Sequence, residues 1–584
     1  MTPLSSSTMR ASQTDGSSEA VGTEGEKGSL LGRLNIDRMT PILLAVLAIK
    51  ITLLFALSIN SVFVMDEFVQ LGFSKYLGNG LFDTIWPVKA VGYAVFYKLA
   101  HLLGWDAVST LMIGRVMTAV LGCTIITMVY CGVRAMKVSR AQALLVVVAL
   151  LSFSTFIERI FRTRSEPLAV FFAMASLMIL LRGGPTARRI VIAGILTGLA
   201  FVTTQKSIYF NVALGGALLV DAIFLKDIRL AFSRGALLVG GWLIPVAVYC
   251  VAFGGLSPMP VLHNLIFGPT ELVSTVPALY EGMSRFILDT LSKNALLYLI
   301  CLAGIGIELT RINRLESRTR VALVFTALTT LFVFLHNQPW PYIFVMALPF
   351  MVMWLPSLLR IMANRSRHLP LALVLIITAI VTSFFRNAVY LTQFGNADQL
   401  AVVRNAESLS SEAELYFDGV GMLPNRSEPS PLWLDLPLIL RTQERGTRSE
   451  LYAIFSQTPP HTVIRTYRLE GVEPVIRQRL RQSYVKVAAN ILLPGQALRL
   501  GEATVFDVPI SGQYMLYSDA GQPIESIIEI DGTAAIMPID LEVGKLSVKL
   551  TSGARHALLV PQGTYVGKFD ATAPDLPLFD NVYD

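Results

Sequence analysis

The chain has 584 residues, of which 53% are hydrophobic and 15% are charged, and its formal net charge is +7. This balance excludes an ordinary soluble domain and indicates a polytopic membrane protein. The four cysteines all fall in apolar segments, which excludes a disulfide framework, and the basic residues form no aromatic-interleaved patch for nucleic acid.

The first part of the chain is predicted to be a tail followed by a membrane domain. Residues 1–38 are rich in Ser, Gly, Thr and Glu, so we expect a disordered cytoplasmic tail without the apolar core of a signal peptide. Residues 39–389 then form a transmembrane catalytic domain. A span needs about 20 apolar residues, and eleven runs approach that length: 40–60, 107–133, 141–157, 167–182, 190–204, 207–225, 235–254, 295–310, 321–335, 340–358 and 369–386.

The distribution of Lys and Arg predicts the orientation of these runs. With the N-terminus in the cytoplasm, every short inside loop is basic, as the loops around residues 134–140, 226–234 and 311–320 illustrate. Eleven spans place the C-terminus outside. The predicted location is a bacterial inner membrane, with a multi-pass chain and an extracytoplasmic C-terminal domain.

After about residue 390 the long apolar runs stop. In residues 390–490, "AELYFDG" and "HTVIRTY" are typical of strands and "GVEPVIRQRLRQSY" of a helix, which predicts a mixed α/β region. Residues 491–584 alternate polar and apolar residues between Gly-containing turns and predict a β-sandwich. Tyr514, Tyr517 and Tyr565 in this region either stack on sugar rings or pack in its core. We expect the whole region to bind or orient an acceptor.

Charged and polar residues that are costly at membrane depth converge on the predicted outer face. The catalytic candidates are Asp66, Glu67 and Glu166. The candidates for binding a donor phosphate are Arg162, Arg164, Lys206 and Lys89, and the further site candidates are Glu158, His263, His336 and Tyr342. A carboxylate can act as a general base there, while Arg and Lys hold a phosphate whose charge grows in the transition state. The pattern therefore predicts group transfer from an anionic lipid donor.

Each candidate also has a structural alternative. The acids and arginines of residues 158–166 are also compatible with a salt-bridged hairpin tip, and Lys206 with a side chain that reaches the outer headgroups. His263 fits an ordinary loop histidine, and His336 an anchor at the membrane interface. Glu67 either tunes Asp66 by like-charge repulsion or points to water.

The order of several short motifs resembles the GT-C superfamily of membrane glycosyltransferases. They are "MDE", "WPVKAVGYAVFYKLAHLLGW", "IGRVMTAVLG", "RTRSEPLAVFFAMASLMILL", "GILTGLAFVTTQKSIYF" and "HNQPWPYIFVMALPF", within residues 40–355. The chain is most similar to the branch of protein O-mannosyltransferases, bacterial lipid A aminoarabinose transferases and rhizobial lipopolysaccharide sugar transferases.

This resemblance implies a polyprenyl-phosphate-sugar donor, a site at the extracytoplasmic membrane surface and inversion at the anomeric carbon. Asp66 falls at the family's first-loop catalytic acid and would be the general base, Glu166 at its second-loop acid, and Lys206 at a basic residue after the fifth span. The chain departs from the family where Lys89 replaces consecutive prolines and where the second acid is Glu. Some distant members use a divalent cation, but the sequence shows no ligand set for one.

The predicted function is therefore transfer of a hexose or pentose to an envelope glycan, lipid or protein. A transporter or flippase is the main alternative, although it would favour paired repeats and mid-span polar residues, which the sequence lacks. A non-catalytic subunit of polysaccharide assembly is the other alternative, and it would tolerate the loss of Asp66.

Overall fold

The computed structural model describes residues 36–78, 89–255, 257–275, 285–336, 338–363, 369–430 and 448–579. The predicted tail, residues 1–38, lies almost entirely outside the described residues.

The described part of residues 36–393 is helical almost throughout. Its helices are α1 (Thr40–Asn60), α2 (Met65–Lys75), α3 (Tyr93–Leu103), α4 (Ala107–Ala135), α5 (Arg140–Leu150), α6 (Ser165–Gly183), α7 (Ala187–Thr203), α8 (Ile208–Phe224), α9 (Ile228–Gly254), α10 (Pro258–Thr275), α11 (Arg285–Lys293), α12 (Ala295–Leu309), α13 (Ser317–Phe334), α14 (Leu355–Ala363) and α15 (Leu369–Gln393). A 3-10 turn at Pro341–Met346 leads towards α14.

The prediction of eleven spans is not confirmed by the helices that the structure describes. Among the described residues, eight helical segments are long and apolar enough to cross a membrane, or nine if the pair α11 and α12, bent by 90°, is one span. The run predicted at 141–157 forms an 11-residue helix, α5, which ends at Leu150. At about 1.5 Å per residue this helix is too short to cross the hydrocarbon core. The run at 190–204 forms the 17-residue α7. The chain is a multi-pass membrane protein.

Small residues allow the close packing of α7 against α9. A Cβ on Gly194 would lie 2.3 Å from the carbonyl oxygen of Leu238, and one on Gly241 would lie 2.3 Å from that of Val191. The hydrophobic effect does not drive helices together inside a membrane, so their association depends on close packing. Small residues permit that close packing. This contact fixes the end of α7, where the candidate site begins.

The described C-terminal residues are strand-rich, and their α-helices are α16 (Ala397–Ser408), α17 (Arg448–Gln457) and α18 (Pro474–Ser483). Its strands are β1 (Tyr416–Phe417), β2 (Thr462–Ile464), β3 (Tyr484–Ala488), β4 (Ile491–Pro494), β5 (Gln496–Arg499), β6 (Ala503–Val508), β7 (Gly512–Tyr517), β8 (Ile527–Ile530), β9 (Thr533–Ile536), β10 (Ile539–Leu541), β11 (Gly544–Leu550) and β12 (His556–Pro561). The predicted strands in "AELYFDG" and "HTVIRTY" and the helix in "GVEPVIRQRLRQSY" are confirmed.

These strands form three four-stranded sheets. The first has the order β1-β2-β4-β3, and the other two have the orders β10-β7-β12-β5 and β6-β11-β8-β9. Residues from the latter two sheets share one apolar core, in which Phe506 of one sheet lies 5.8 Å from Tyr514 of the other, measured between ring centroids. The two sheets therefore form a β-sandwich. Tyr514, Tyr517 and Tyr565 are all buried, Tyr514 in this core and Tyr517 and Tyr565 in a separate apolar cluster that includes Val485 and Val487 of β3.

Candidate active site

Asp66 and Glu67 lie in the first turn of α2, directly after the extended residues that follow α1. The Glu67 carboxylate accepts a hydrogen bond from the Val64 backbone N–H at 3.0 Å, which caps the helix. Adjacent residues of a helix point in different directions, and here one carboxylate faces outward and one inward. The Asp66 side chain is 27% exposed, whereas that of Glu67 is 0% exposed.

Glu67 belongs to a buried ion cluster behind the site. Arg115 bonds both of its carboxylate oxygens, at 2.8 and 2.7 Å, and Arg162 bonds one at 2.9 Å. Burial alone would raise the pKa of Glu67, but the Arg115 and Arg162 guanidinium groups lower it to about 2. The expectation that Glu67 either tunes Asp66 by repulsion or points to water does not describe this arrangement.

Arg162 faces the same cluster and not an open phosphate site. Its side chain is 1% exposed, and it donates to the carbonyl oxygen of Val62 at 3.0 Å and to the Tyr390 hydroxyl at 3.0 Å. The buried donors of Arg162 are thus occupied by the chain itself. The structure places Arg162 and Glu67 beneath the loop that carries Asp66.

Arg115 is a central residue of this cluster that sequence reasoning missed. It also donates to the carbonyl oxygens of Ser61 and Val62, at 2.5 and 2.8 Å, and lies 3.5 Å above the Phe63 ring centre. A charged residue away from both ends of the long apolar helix α4 is the signal that would have identified it, because such residues are costly in a membrane and have a specific role.

The outward-facing group is centred on Arg164, which precedes α6. Its guanidinium bonds the Asp66 carboxylate and, at 3.1 Å, the carboxylate of Glu166 in the first turn of α6. Lys206 reaches Glu166 from the turn after α7, at 2.8 Å. The Tyr342 ring covers both cations, with Arg164 3.6 Å and Lys206 4.3 Å from the ring centre. The structure thus brings Asp66, Arg164, Glu166, Lys206 and Tyr342 together.

Lys89 contributes a further positive charge to this group. It is exposed, and its charge acts on Asp66. Burial would raise the pKa of Asp66, but Arg164 and Lys89 outweigh it and hold the pKa below the usual range of a carboxyl group. Asp66 is therefore ionised at neutral pH. It is also more accessible than Glu166, whose side chain is 2% exposed.

Backbone contacts hold the segments of this group in place. Tyr97 on α3 donates its hydroxyl to the carbonyl oxygen of Arg164 at 2.8 Å. The side chain of Gln205 accepts from the Ala90 backbone N–H at 2.8 Å, next to Lys89. A Cβ on Gly92 would lie 2.5 Å from the carbonyl oxygen of Val202, so glycine permits this close approach. The loop with Lys89 is thereby joined to the turn with Lys206.

The remaining candidates lie outside this group. Glu158 is buried, and burial raises its pKa against the opposing charges of Arg159 and Lys293. His336 bonds the Tyr209 hydroxyl through Nδ1 at 2.7 Å. His263 on α10 is more than half exposed and faces Glu271 at 3.7 Å. Its contacts among the described residues are with Glu271 and Phe267 of the same helix, which fits a surface histidine.

The C-terminal region contacts the loop that carries Asp66. The Gln399 side chain on α16 accepts from the Phe63 backbone N–H at 2.7 Å and donates to the Phe63 carbonyl at 2.9 Å. The same amide donates to the Leu578 carbonyl at 2.6 Å. At the other end of α2, Lys75 pairs with Glu428 at 2.6 Å. The C-terminal region thus holds α2 at both ends.

In the ranges that the structure covers, no group of three or more His, Cys, Asp or Glu side chains could hold a metal ion.

Two family models match the C-terminal region of the chain. "Domain of unknown function (DUF7056)" matches residues 440–493, and "Domain of unknown function (DUF7055)" matches residues 496–561. The second range begins with β5 and ends with β12, so it coincides with the β-sandwich. A search of curated proteins finds no match.

Solved structures resemble a larger part of the chain. ArnT from Cupriavidus metallidurans bound to undecaprenyl phosphate has a TM-score of 0.53 at 13% identity, over 78% of this chain and 98% of ArnT. Its apo form has a TM-score of 0.51 at the same identity and coverage. The archaeal oligosaccharyltransferase AglB from Archaeoglobus fulgidus, in complex with an inhibitory peptide and a dolichol-phosphate, has a TM-score of 0.42 at 13% identity, over 88% and 76% of the two chains.

The chain therefore has the fold of ArnT. The predicted fold class, a GT-C-like helical membrane protein with a strand-rich C-terminal region, is confirmed apart from the number of spans.

Proposed function

We propose that this protein transfers a sugar from a polyprenyl-phosphate-sugar donor to an envelope glycan, lipid or protein. The observation that carries the proposal is the accessible Asp66 carboxylate, which lies beside Arg164 in a group that also contains Lys206 and Lys89. The fold supports it, because ArnT has been crystallised with undecaprenyl phosphate in the same fold. The acceptor would be reached on the extracytoplasmic side of a bacterial inner membrane.

Asp66 would act as the general base. The acceptor hydroxyl gives its proton to the Asp66 carboxylate, and its oxygen attacks the anomeric carbon from the face opposite the phosphate. The bond between that carbon and the phosphate oxygen breaks, and the electron pair leaves with the phosphate. The products are a glycosylated acceptor with inverted configuration and a polyprenyl phosphate.

Arg164, Lys206 and Lys89 would stabilise the leaving phosphate. Negative charge grows on its oxygen as the bond breaks, and fixed cations in a partly buried site stabilise this change without reorganisation. Glu166 bonds both Arg164 and Lys206 from its buried position, so it orients the two cations. Tyr342 provides the apolar surface against which they rest.

Asp66→Asn tests this assignment. We expect turnover to fall by about 10²–10⁴-fold, the usual contribution of general acid–base catalysis. Purified variants in proteoliposomes would be given labelled donor lipid and envelope acceptor. The envelope glycans of a deletion strain that expresses each variant would be compared by mass spectrometry.

Asp398→Asn is the matched control, because Asp398 is an exposed acid in the first turn of α16. It should retain full activity. Near-normal turnover of a folded Asp66→Asn protein would contradict the role of Asp66 and would favour a transport or assembly function.

A further inference from the structure

A cavity of about 200 Å³ opens at the end of the helix bundle opposite Asp66. Helix α4 shows the relation, because Arg115 near its start contacts Glu67, whereas Ala135 at its end lines the cavity. Three separate segments form the walls: the turn after α4, the connection between α12 and α13, and residues 353–360.

The cavity has an apolar and rigid floor. Met353 and Trp354 are 1% and 3% exposed, and both line the cavity. The Trp354 indole donates to the Thr326 hydroxyl at 3.1 Å, so its ring is fixed by a buried hydrogen bond. A floor of this kind accommodates the carbon atoms that adjoin a polar headgroup.

The rim has an excess of positive charge. Its charged residues are Lys137, Glu308, Arg314, Glu316, Arg318 and Arg360, which are four cations and two carboxylates. Glu316 is shared by Lys137 at 3.0 Å and Arg318 at 2.8 Å, and Arg360 lies 3.7 Å from Glu308. Within the described part of the chain, no hydrogen bond or ion pair is found for the Arg314 side chain.

We propose that this cavity binds the phosphate group of an anionic lipid. It lies where α4, α12 and α13 end, and therefore at the depth of lipid headgroups. Arginine binds phosphate oxygens through two parallel hydrogen bonds, and basic cavities between membrane helices are suited to such headgroups. The preference for Lys and Arg in cytoplasmic loops would be satisfied by basic loops that share no cavity. Here the cations of three segments line one cavity with an apolar floor.

The test uses the full-length protein in detergent, titrated with phosphatidylglycerol, phosphatidylcholine or inorganic phosphate and analysed by native mass spectrometry. We expect the unchanged protein to retain phosphatidylglycerol in preference to phosphatidylcholine. The double variant Arg314→Gln/Arg318→Gln should lower the affinity for phosphatidylglycerol about tenfold, the loss expected for charge-assisted hydrogen bonds at a partly exposed site.

The control is Arg311→Gln/Arg229→Gln, which removes the same charge from exposed positions outside the cavity lining, at the same end of the bundle. It should leave retention unchanged. Equal loss in both double variants, or no retained lipid in the unchanged protein, would overturn the proposal.

Two further outcomes complete the test. Arg314→Gln alone removes an exposed side chain that has no ion pair with any residue that the structure describes, so the variant should fold normally and show an intermediate loss of lipid. If inorganic phosphate binds in a way that depends on Arg314 and phosphatidylglycerol does not, the lipid assignment fails and the cavity takes a soluble phosphate. The proposal that this cavity binds a lipid phosphate is independent of sugar transfer, because no step of the test measures sugar transfer.

Discussion

Asp66 and Glu67 are adjacent carboxylates in opposite environments. Asp66 is accessible and bonded to Arg164, whereas Glu67 is enclosed by Arg115 and Arg162. Removal of one member of a buried ion pair leaves an uncompensated charge, so the two acids should respond differently to the same amide substitution.

Glu67→Gln should destabilise the protein strongly. It would leave Arg115 and Arg162 buried with reduced compensation, a loss on the order of 3–5 kcal/mol. The thermal midpoint in detergent should fall by several degrees, while Asp66→Asn should leave it nearly unchanged. Equal midpoints for the Glu67→Gln and unchanged proteins would show that the cluster does not stabilise the fold.

The pH dependence of stability has a defined sign for Glu67. Its pKa in the folded state, about 2, is lower than the ordinary carboxyl value. The ionised Glu67 carboxylate therefore contributes its full stabilisation of the fold when the pH is above the ordinary pKa of a glutamate. This contribution is lost as the pH falls towards 2. Glu67→Gln should abolish this part of the acid sensitivity, which thermal melts between neutral and acidic pH would measure.

Arg164→Lys should weaken donor binding more than it lowers turnover. A contact with phosphate in both ground and transition states acts mainly on KM, and lysine lacks the planar fork that reaches two oxygens. We expect KM for the donor to rise about tenfold. Arg404→Lys, at an exposed position of α16, is the control. Equal KM values for the Arg164→Lys and unchanged proteins would indicate a role for charge alone.

The residues that sequence reasoning selected well are those with a local signal. Asp66 follows an apolar run, and Glu166 and Lys206 fall in motifs that resemble a family, so order and polarity identify them without a structure. Arg162 carries the same signal as Arg164, two positions away, but points into the buried cluster. The direction of each side chain along this short turn decides whether Arg162 or Arg164 faces the site. The sequence does not reveal that direction.

At the scale of elements, α2 depends on α16 for its position. Gln399 on α16 satisfies both backbone groups of Phe63, three residues before Asp66, and reaches Leu578 as well. No sequence pattern predicts this contact, because Phe63 and Gln399 are 336 positions apart. Acceptor binding by the C-terminal region stays a prediction, whereas these bonds show that the region holds the segment that precedes Asp66.

Gln399→Leu should reduce turnover without changing any residue that touches substrate. Leucine of similar size leaves the Phe63 N–H and carbonyl unsatisfied, at a cost of about 1–3 kcal/mol each, and releases the loop that carries Asp66. We expect kcat to fall more than donor KM rises. Gln393→Leu, exposed at the end of α15, is the control. An unchanged kcat in the Gln399→Leu variant would show that the loop keeps its position without this amide.

The described structure has a group of charged side chains at each end of the helix bundle. The candidate site lies at one end, and the basic connections after α4 and α12 lie at the other. Hydrophobic length predicted where the helices occur, because burial in lipid is a local property of a segment. It does not decide the number of spans, because the apolar helix α5 is only 11 residues long and most of its side chains are buried inside the protein.

Cysteine labelling would establish the orientation of the two ends. The bias of Lys and Arg predicts that Lys137→Cys and Arg229→Cys react with a polar reagent only from the cytoplasmic side. His263→Cys and Arg499→Cys should react from the other side. All four positions are exposed in the structure, so absence of labelling would report topology and not burial. Labelling of Arg499→Cys from the cytoplasm alone would reverse the assignment.

The bond from Gln399 to Leu578 has a consequence for biogenesis. Asp66, Arg164, Glu166 and Lys206 are all synthesised and inserted before α16 emerges, and the Glu67 cluster assembles from equally early segments. The bonds from Gln399 to Phe63 form only after α16 has been made, and the bond from the same amide to Leu578 forms only when the described chain is almost complete. The charged groups of the site are therefore present before the contact that aligns them, so a nascent chain that stops before α16 carries these groups without the brace on Phe63.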